Sequence, residues 1–173
     1  MHLAYTMAPG RGDTDLILLR LATDLAARGL VCCGTVQVNS ERPDDGPCDM
    51  DVRVLPDGPT LRISQHLGRS ARGCRLDPTA LETAVGLVSA RLAAGADVLV
   101  VNKFGKHEAE GRGFRALIAD ALALGVPVIV GVNALNLPAF EAFAGGLADR
   151  LPPDAAALAG WLARAVGDSR LAA

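Results

Sequence analysis

Short apolar runs alternate along the chain with longer segments in which apolar residues recur at helical spacing. Residues 2–6 predict a short strand, and residues 30–38, 96–102 and 126–133 are apolar runs rich in valine, typical of strands buried in a parallel sheet. Helical spacing is found in residues 16–29, 78–95, 111–125, 136–151 and 152–167. Because strands and helices alternate, we predict an α/β fold with a doubly wound, mainly parallel sheet.

The residues at the ends of two predicted helices support these boundaries. Asp13 or Thr14 can cap the first helix through a side-chain oxygen, and Gly29 follows that helix where a glycine commonly ends one. Asp77 can cap the helix over 78–95, and Pro78 suits its first position, where no backbone hydrogen bond is lost.

A polar segment with a predicted β-hairpin interrupts this alternation. Residues 39–51 are polar, and residues 52–64 contain two alternating segments separated by Pro-Asp-Gly-Pro, which favours a hairpin. We therefore predict one domain over 1–173, with the polar insertion and hairpin at 39–66 inside it.

Composition restricts the class of protein. With 173 residues, of which 50% are hydrophobic, the chain can build a core without disulfides or a structural metal. A net charge of −2 argues against a general nucleic-acid partner. No apolar run reaches the roughly 18 to 20 residues of a membrane span, and the first residues do not resemble a signal peptide. We expect a cytoplasmic protein with no membrane partner.

Three predicted strands end in the same dipeptide, Val-Asn, at Asn39, Asn102 and Asn133. Ligands of open parallel sheets bind at the carboxyl ends of the strands, so these side chains are candidates for lining one crevice. The alternative is that asparagine only tolerates the turn that follows a strand.

The loop after the first strand is a candidate anion site. Its backbone amides and the following helix N-terminus can surround an anion. The candidate binding residues are Pro9, Gly10, Arg11, Gly12, Asp13 and Thr14. Aligned with the phosphate-loop pattern G-x-x-x-x-G-K-[ST], the loop has Met7 for the first glycine and Asp13 for the lysine.

Pro9-Gly10-x-Gly12-x-Thr14 resembles the loop G-x-P-G-x-G-K-T of the small P-loop nucleoside triphosphatases, and the order of elements is similar over residues 1 to about 145. In that family one strand ends in Asp-Glu-x-Gly-Lys-x-Glu, and the two acids hold Mg²⁺ and orient the attacking water. Here the segment starts Asn102-Lys103 and continues to Glu108. The resemblance implies a P-loop fold from which both acids are missing.

The substitutions exchange charges across the site, so we predict an ion pair between Asp13 and Lys103. Lys103 and Lys106 are the only lysines of the chain. Arg112 and Arg115 extend the basic character of this segment, and Arg11 can replace the missing loop lysine. The alternative is that these lysines only solvate a loop.

The four cysteines give weaker indications. Cys32 and Cys33 are adjacent in a predicted strand and point to opposite faces, which favours core positions. Cys48 and Cys74 flank the hairpin and are a weak candidate for a thiol pair or metal site, because no C-x-x-C spacing accompanies them. We therefore predict no metal.

Most of the chain is also similar to a bacterial family of unknown function encoded near molybdate-uptake genes. The matching stretches are AYTMAPGRGDTD, LPDG, ISQ-x-LG, GCRLD, VNKFGKHEAEGRGFR and GVNALN. This resemblance implies a role in molybdate or tungstate handling.

Three functional hypotheses follow. The first is a non-catalytic protein that binds an oxyanion, such as molybdate or tungstate, or the phosphate of a nucleotide. The second is a nucleoside triphosphatase or kinase with a rearranged site, in which Glu108 or Glu110 supplies the missing acid. The third is an interaction protein, for example a homo-oligomer, whose crevice is vestigial.

Overall fold

The computed structural model describes residues 1–40, 49–65 and 76–167, and these contain seven strands and six helices. In chain order they are β1 (Leu3–Thr6), α1 (Asp13–Ala27), β2 (Cys32–Ser40), β3 (Asp49–Leu55), β4 (Thr60–Arg62), α2 (Pro78–Ala93), β5 (Val98–Phe104), α3 (Lys106–Ala109), α4 (Phe114–Ala123), β6 (Val128–Val132), α5 (Leu137–Ala144), β7 (Ala148–Leu151) and α6 (Ala155–Val166).

The strands form one sheet in the order β4-β3-β2-β5-β6-β1-β7. The five strands from β2 to β7 in this order are parallel to their neighbours, and the β3–β4 hairpin adds to the outer edge of β2 in antiparallel orientation. The predicted α/β class, mainly parallel sheet and β-hairpin are therefore confirmed.

Helices cover both faces of the sheet and give the domain two apolar cores. Residues of α1 and α6 pack on one face, and residues of α2, α4 and α5 pack on the other. Neighbouring residues of β5 alternate between the two cores, as the two-residue period of a strand requires. Cys32 and Cys33 are divided in the same way, and burial raises the pKa of the Cys33 thiol to about 11.

The start of α1 differs from the prediction. Its N-cap is Gly12, at φ 86°, and no side chain caps the helix there. Glycine adopts this left-handed conformation at little cost, so Asp13 enters the helix as its first residue. The Thr14 hydroxyl instead accepts a hydrogen bond from the Ala8 amide at 3.0 Å. The predicted capping by Asp13 or Thr14 is therefore wrong.

The predicted start of α2 and the predicted end of α1 agree with the structure. The Asp77 carboxylate accepts hydrogen bonds from the amides of Thr79 and Ala80, at 2.9 and 3.2 Å, and Pro78 opens the helix. Gly29 follows the end of α1 at φ 75°.

The predicted helix over residues 136–151 is wrong in its second half. After α5 the chain passes through Gly145 and Gly146, at φ 58° and 80°, and then forms β7. Two successive left-handed residues cannot continue an α-helix, and the four residues of β7 instead pair in parallel with β1.

The segment after β5 also differs from the prediction. The strand expected to end at Asn102 continues to Phe104, and the short helix α3 follows. No helix in the described part of the chain is long and apolar enough to cross a membrane.

Candidate functional site

The glycine-bearing loop that follows β1 faces the carboxyl ends of β5 and β6 across a cavity of about 190 Å³, here called the loop cleft. The loop and the first turn of α1 contribute Ala8, Gly10, Arg11, Gly12, Thr14 and Asp15, and the strand ends contribute Asn102, Lys103, Gly131, Val132 and Asn133. The structure thus brings four of the six predicted loop residues together with three predicted strand-end residues. Pro9 and Asp13 are exposed beside the cleft.

The loop is tight where Asp13 turns back over Gly10. A Cβ added to Gly10 would lie 2.0 Å from Asp13 Oδ2. The Asp13 amide in turn donates a 3.4 Å hydrogen bond to the Gly10 carbonyl. The Asp13 carboxylate is therefore held against the loop backbone by the same turn that starts α1.

Asn102 connects three elements beneath the loop cleft. Its Oδ1 accepts a hydrogen bond from the Gln37 amide at 2.8 Å, and its Nδ2 donates one to Asp15 Oδ1 at 2.8 Å. The side chains of Asn102 and Asp15 are buried. This contact joins β2, β5 and α1 with a buried carboxylate at the floor of the cleft.

Sequence reasoning missed Asp15. It is the third residue of α1, where the helix dipole favours a negative charge. An acid in the first turn directly after a phosphate-type loop was the signal in the sequence that could have found it.

Two cations line the loop cleft, and the predicted ion pair between Asp13 and Lys103 is absent. Within the described ranges neither Arg11 nor Lys103 forms an ion pair within 4 Å, although both are exposed. The prediction failed because Asp13 turns toward Gly10. Two positions further along α1, the Asp15 carboxylate instead accepts a hydrogen bond from the uncharged Asn102 side chain.

The remaining predicted cations lie away from the loop cleft. Lys106 Nζ is 3.7 Å from Glu110 Oε1, and Arg112 also pairs with Glu110, whose pKa is lowered chiefly by the hydrogen bond from Arg112. The guanidinium of Arg115 lies 4.7 Å from the centre of the Phe143 ring. These three side chains contact neighbouring residues and do not line the loop cleft.

Two of the three predicted asparagines, Asn102 and Asn133, line the loop cleft. Asn39 is not at the end of a parallel strand, because β2 continues to Ser40 in antiparallel pairing, where Asn39 lies opposite Met50. Asn133 does line the cleft, but its Oδ1 accepts hydrogen bonds from the amide and the Nδ2 of Asn136, at 2.9 and 3.0 Å. Asn133 therefore also stabilises the turn after β6.

Glu108 holds backbone groups instead of facing the loop cleft. Its Oε2 accepts a hydrogen bond from the Gly105 amide at 2.9 Å, and its Oε1 accepts one from the Phe114 amide at 3.3 Å. The side chain is buried and fixes the starts of α3 and α4. Glu110 is exposed and ion-paired, so neither residue is placed to supply the acid that the second hypothesis required.

A second cavity of about 220 Å³, here called the sheet pocket, lies beside the loop cleft and shares Asn102 and Lys103 with it. The sheet, the hairpin and the helices α2 and α4 give it a largely apolar lining. That part of the lining includes Met50, Val52, Ile63, Leu76, Leu81 and Phe114. Lys106 and His107 also line it, so the structure places Lys106 in this pocket and not in the predicted anion site.

Cys48, Cys74 and residues 41–48 of the predicted insertion lie outside the described residues. The thiol pair or metal site considered there stays a prediction.

The chain matches, over residues 3–161, the family described as "Protein of unknown function (DUF2478)". It belongs to that family. Among curated proteins it is similar to the molybdenum import ATP-binding protein ModC 2 of Bradyrhizobium diazoefficiens, with 34% identity over 151 residues and 86% of the chain. That match covers 17% of the relative, so the chain spans only a small part of its length.

Two solved structures are similar in fold. The crystal structure of THEP1 from the hyperthermophile Aquifex aeolicus matches with a TM-score of 0.61, at 15% identity, over 89% of this chain and 90% of that one. The solution structure of a human cancer-related nucleoside triphosphatase matches with a TM-score of 0.55, at 19% identity, over 86% of each chain. The DUF2478 chain therefore has the fold of P-loop nucleoside triphosphatases, as the loop resemblance predicted.

Proposed function

We propose that this DUF2478 chain binds a small tetrahedral oxyanion, either molybdate or tungstate or the phosphate of a nucleotide, in the loop cleft without hydrolysing it. The observation that carries the proposal is the pair of cations, Arg11 and Lys103, which line the cleft beside the loop amides without a protein counter-ion within the described residues. At an effective dielectric of 20, a unit charge about 4 Å from an anion contributes roughly 4 kcal/mol.

The arrangement around Asn102 supports binding without hydrolysis. The resemblance to triphosphatases leads one to expect two acids at Asn102 and Lys103, where this chain has an amide and a cation. The amide is already occupied by Gln37 and Asp15. A site with these groups lacks the usual means of holding Mg²⁺ and orienting a water molecule at this strand.

Molybdate and tungstate are included because of the relative ModC 2, whose name refers to molybdenum import. We also propose that the protein is cytoplasmic, that its ligand is small and that it has no nucleic-acid partner. The third hypothesis, a homo-oligomeric interaction protein, stays a prediction.

The two lysines provide a matched test. Lys103 lines the loop cleft, whereas Lys106 is outside it with a 79% exposed side chain. Isothermal titration with molybdate, tungstate, sulfate, phosphate, ADP and ATP should identify at least one anion that binds. The affinity of that anion should fall at least about tenfold in Lys103→Gln and in Arg11→Gln. The same ligand should bind Lys106→Gln within about twofold of the unchanged protein. Equal losses in both lysine variants, or no binding by any of these anions, would contradict the proposal.

A second candidate function is a triphosphatase with a relocated acid. It is favoured by Asp15, the one carboxylate among the described residues that line the loop cleft. Mg²⁺-dependent release of phosphate from ATP that disappears in Asp15→Asn, but persists in Glu110→Gln, would establish this alternative in place of binding alone.

A further inference from the structure

The sheet pocket has the size of a binding site for a single planar ring. Its volume of about 220 Å³ exceeds the roughly 150 Å³ of an apolar cavity that takes up benzene. Met50, Val52, Ile63, Leu81 and Phe114 provide apolar contacts. An apolar ligand of this size would gain free energy by leaving water.

His107 is a buried polar side chain of the sheet pocket, and its ring is held in a fixed orientation. It is 5% exposed, and its Nε2 lies 2.9 Å from Glu82 Oε1. Glu82 also accepts a hydrogen bond from the Gly113 amide at 3.0 Å. The two contacts fix the imidazole ring from one side.

The contact with Glu82 determines what the other ring nitrogen can do. The hydrogen bond with His107 is the main cause of the lowered pKa of Glu82, whose carboxylate therefore accepts the Nε2 proton. In a neutral imidazole whose Nε2 carries the proton, Nδ1 is an acceptor. It makes no hydrogen bond to the part of the chain that the structure describes, so a ligand O–H or N–H group would satisfy it.

Two cations complete the sheet pocket. Lys103 and Lys106 both line it, and both are exposed at its rim. Lys106 is only loosely paired, at 3.7 Å from Glu110. A ligand with an anionic group at the rim would therefore meet two positive charges while its ring occupies the apolar floor.

We propose that the sheet pocket binds a small aromatic anion, a single planar ring with an O–H or N–H group that hydrogen-bonds to His107 and a carboxylate-type group that meets Lys103 and Lys106. This site adjoins the anion site of the loop cleft and shares Lys103 with it, but His107, Lys106 and the apolar residues line the sheet pocket and not the cleft.

The ligand preference is tested with four single-ring probes that carry a hydroxyl group, a carboxylate or both. Isothermal titration with 3- and 4-hydroxybenzoate, benzoate and phenol compares a ring that has both groups with rings that lack the donor or the anion. At least one hydroxybenzoate should bind about three- to tenfold more tightly than both benzoate and phenol. Equal affinities for all probes, or no binding at millimolar concentration, would overturn the proposal.

Substitutions locate the probe. Met50→Phe places a ring inside the sheet pocket and should reduce hydroxybenzoate affinity at least about tenfold, whereas Met50→Leu, which keeps the pocket open, should change it less than about threefold. Lys106→Gln should weaken hydroxybenzoate binding about threefold or more and should leave the binding of uncharged phenol unaffected. Urea unfolding of each variant checks that the variant, Met50→Phe included, is folded. Unchanged binding by folded Met50→Phe would place the probe elsewhere and refute the site.

Arg11→Gln separates this proposal from the proposed function. Arg11 lines the loop cleft and not the sheet pocket, so this variant should keep full hydroxybenzoate affinity while it loses oxyanion binding. If no oxyanion binds but hydroxybenzoate shows the expected pattern, only the proposed function fails. If hydroxybenzoate affinity falls with Arg11→Gln and not with Met50→Phe, the aromatic anion occupies the loop cleft and the present proposal is wrong.

Discussion

Replacement of Asn102 by aspartate would set two buried carboxylates against each other. Asn102 Nδ2 now donates to Asp15 Oδ1 at 2.8 Å. In Asn102→Asp that donor becomes an oxygen, and the variant carries the acid that the triphosphatase resemblance leads one to expect at this position. We expect the variant to be unstable at neutral pH and to recover in acid.

The magnitude follows from the separation of the two charges. Two unit charges that relax to about 4 Å repel by roughly 4 kcal/mol at an effective dielectric of 20. The pair avoids this repulsion by binding a proton, and 4 kcal/mol corresponds to a pKa raised by about three units, from near 3.9 to near 7. The folded variant then holds a proton that the unfolded chain releases, so its stability falls as the pH rises from about 4 to about 7.

Urea unfolding at pH 5 and pH 8 checks this expectation. The difference in unfolding free energy between Asn102→Asp and the unchanged protein should grow by about 2 to 3 kcal/mol from pH 5 to pH 8. The double variant Asp15→Asn/Asn102→Asp exchanges acid and amide, restores the hydrogen bond and should recover most of the loss. A deficit that is the same at both pH values, or that the second substitution does not relieve, would refute the reasoning.

Three further predictions concern the framework of the site. Glu108→Gln replaces one of the two buried carboxylate oxygens that accept backbone hydrogen bonds by an NH₂ donor, and should lower the free energy of unfolding in urea by about 1 to 3 kcal/mol. The control Glu110→Gln, at an exposed position, should change it by less than about 0.5 kcal/mol. Equal effects of the two substitutions would argue against the buried contacts. Gly131→Ala would put a Cβ 2.1 Å from a carbonyl oxygen of β5 and should lower the melting temperature by more than about 5 °C, roughly the effect of 2 kcal/mol. Gly160→Ala, within α6 and with only a guanidinium nitrogen at 3.8 Å, should leave the melting temperature unchanged or raise it. The Cys33 thiol has a pKa of about 11, so about 0.1% of it is ionised at pH 8. Mass spectrometry after brief iodoacetamide treatment should therefore find Cys33 unmodified until urea unfolds the chain. Rapid labelling of the folded protein would contradict the burial of this thiol.

Local signals explain why much of the fold could be predicted from the sequence. Buried parallel strands are apolar on both faces, so residues 96–102 and 126–133 predicted β5 and β6 without knowledge of their partners. Asp77 and Pro78 identified the start of α2 because a cap acts within one turn.

The errors occur where a distant segment decides the structure. β7 has only four residues, and its pairing with β1 outweighs the helical spacing around it. The Val-Asn dipeptide predicted a strand end at Asn39. This prediction failed because β2 is lengthened by its pairing with the hairpin strand β3, which continues to Ser40.

The candidate site could be predicted in position but not in detail. A glycine-bearing loop after a strand was sufficient to place the loop cleft at the strand ends. The direction of the Asp13 side chain depends on the turn at Gly10 and Gly12, which the residue types alone do not determine. The sheet pocket could not be predicted, because its lining comes from separate segments that meet only in the folded chain.

The position of β1 in the sheet has a consequence for how the chain folds during synthesis. β1 lies between β6 and β7, so its first partner begins at Val128, about 120 residues after β1 ends. At 5 to 20 residues per second a ribosome needs roughly 6 to 24 seconds to make that stretch. Throughout this time the backbone N–H and C=O groups of β1 have no strand to pair with, and the loop that follows β1 lacks the strand ends it faces in the native state. The loop cleft is therefore assembled late in synthesis, after β6 has left the ribosome.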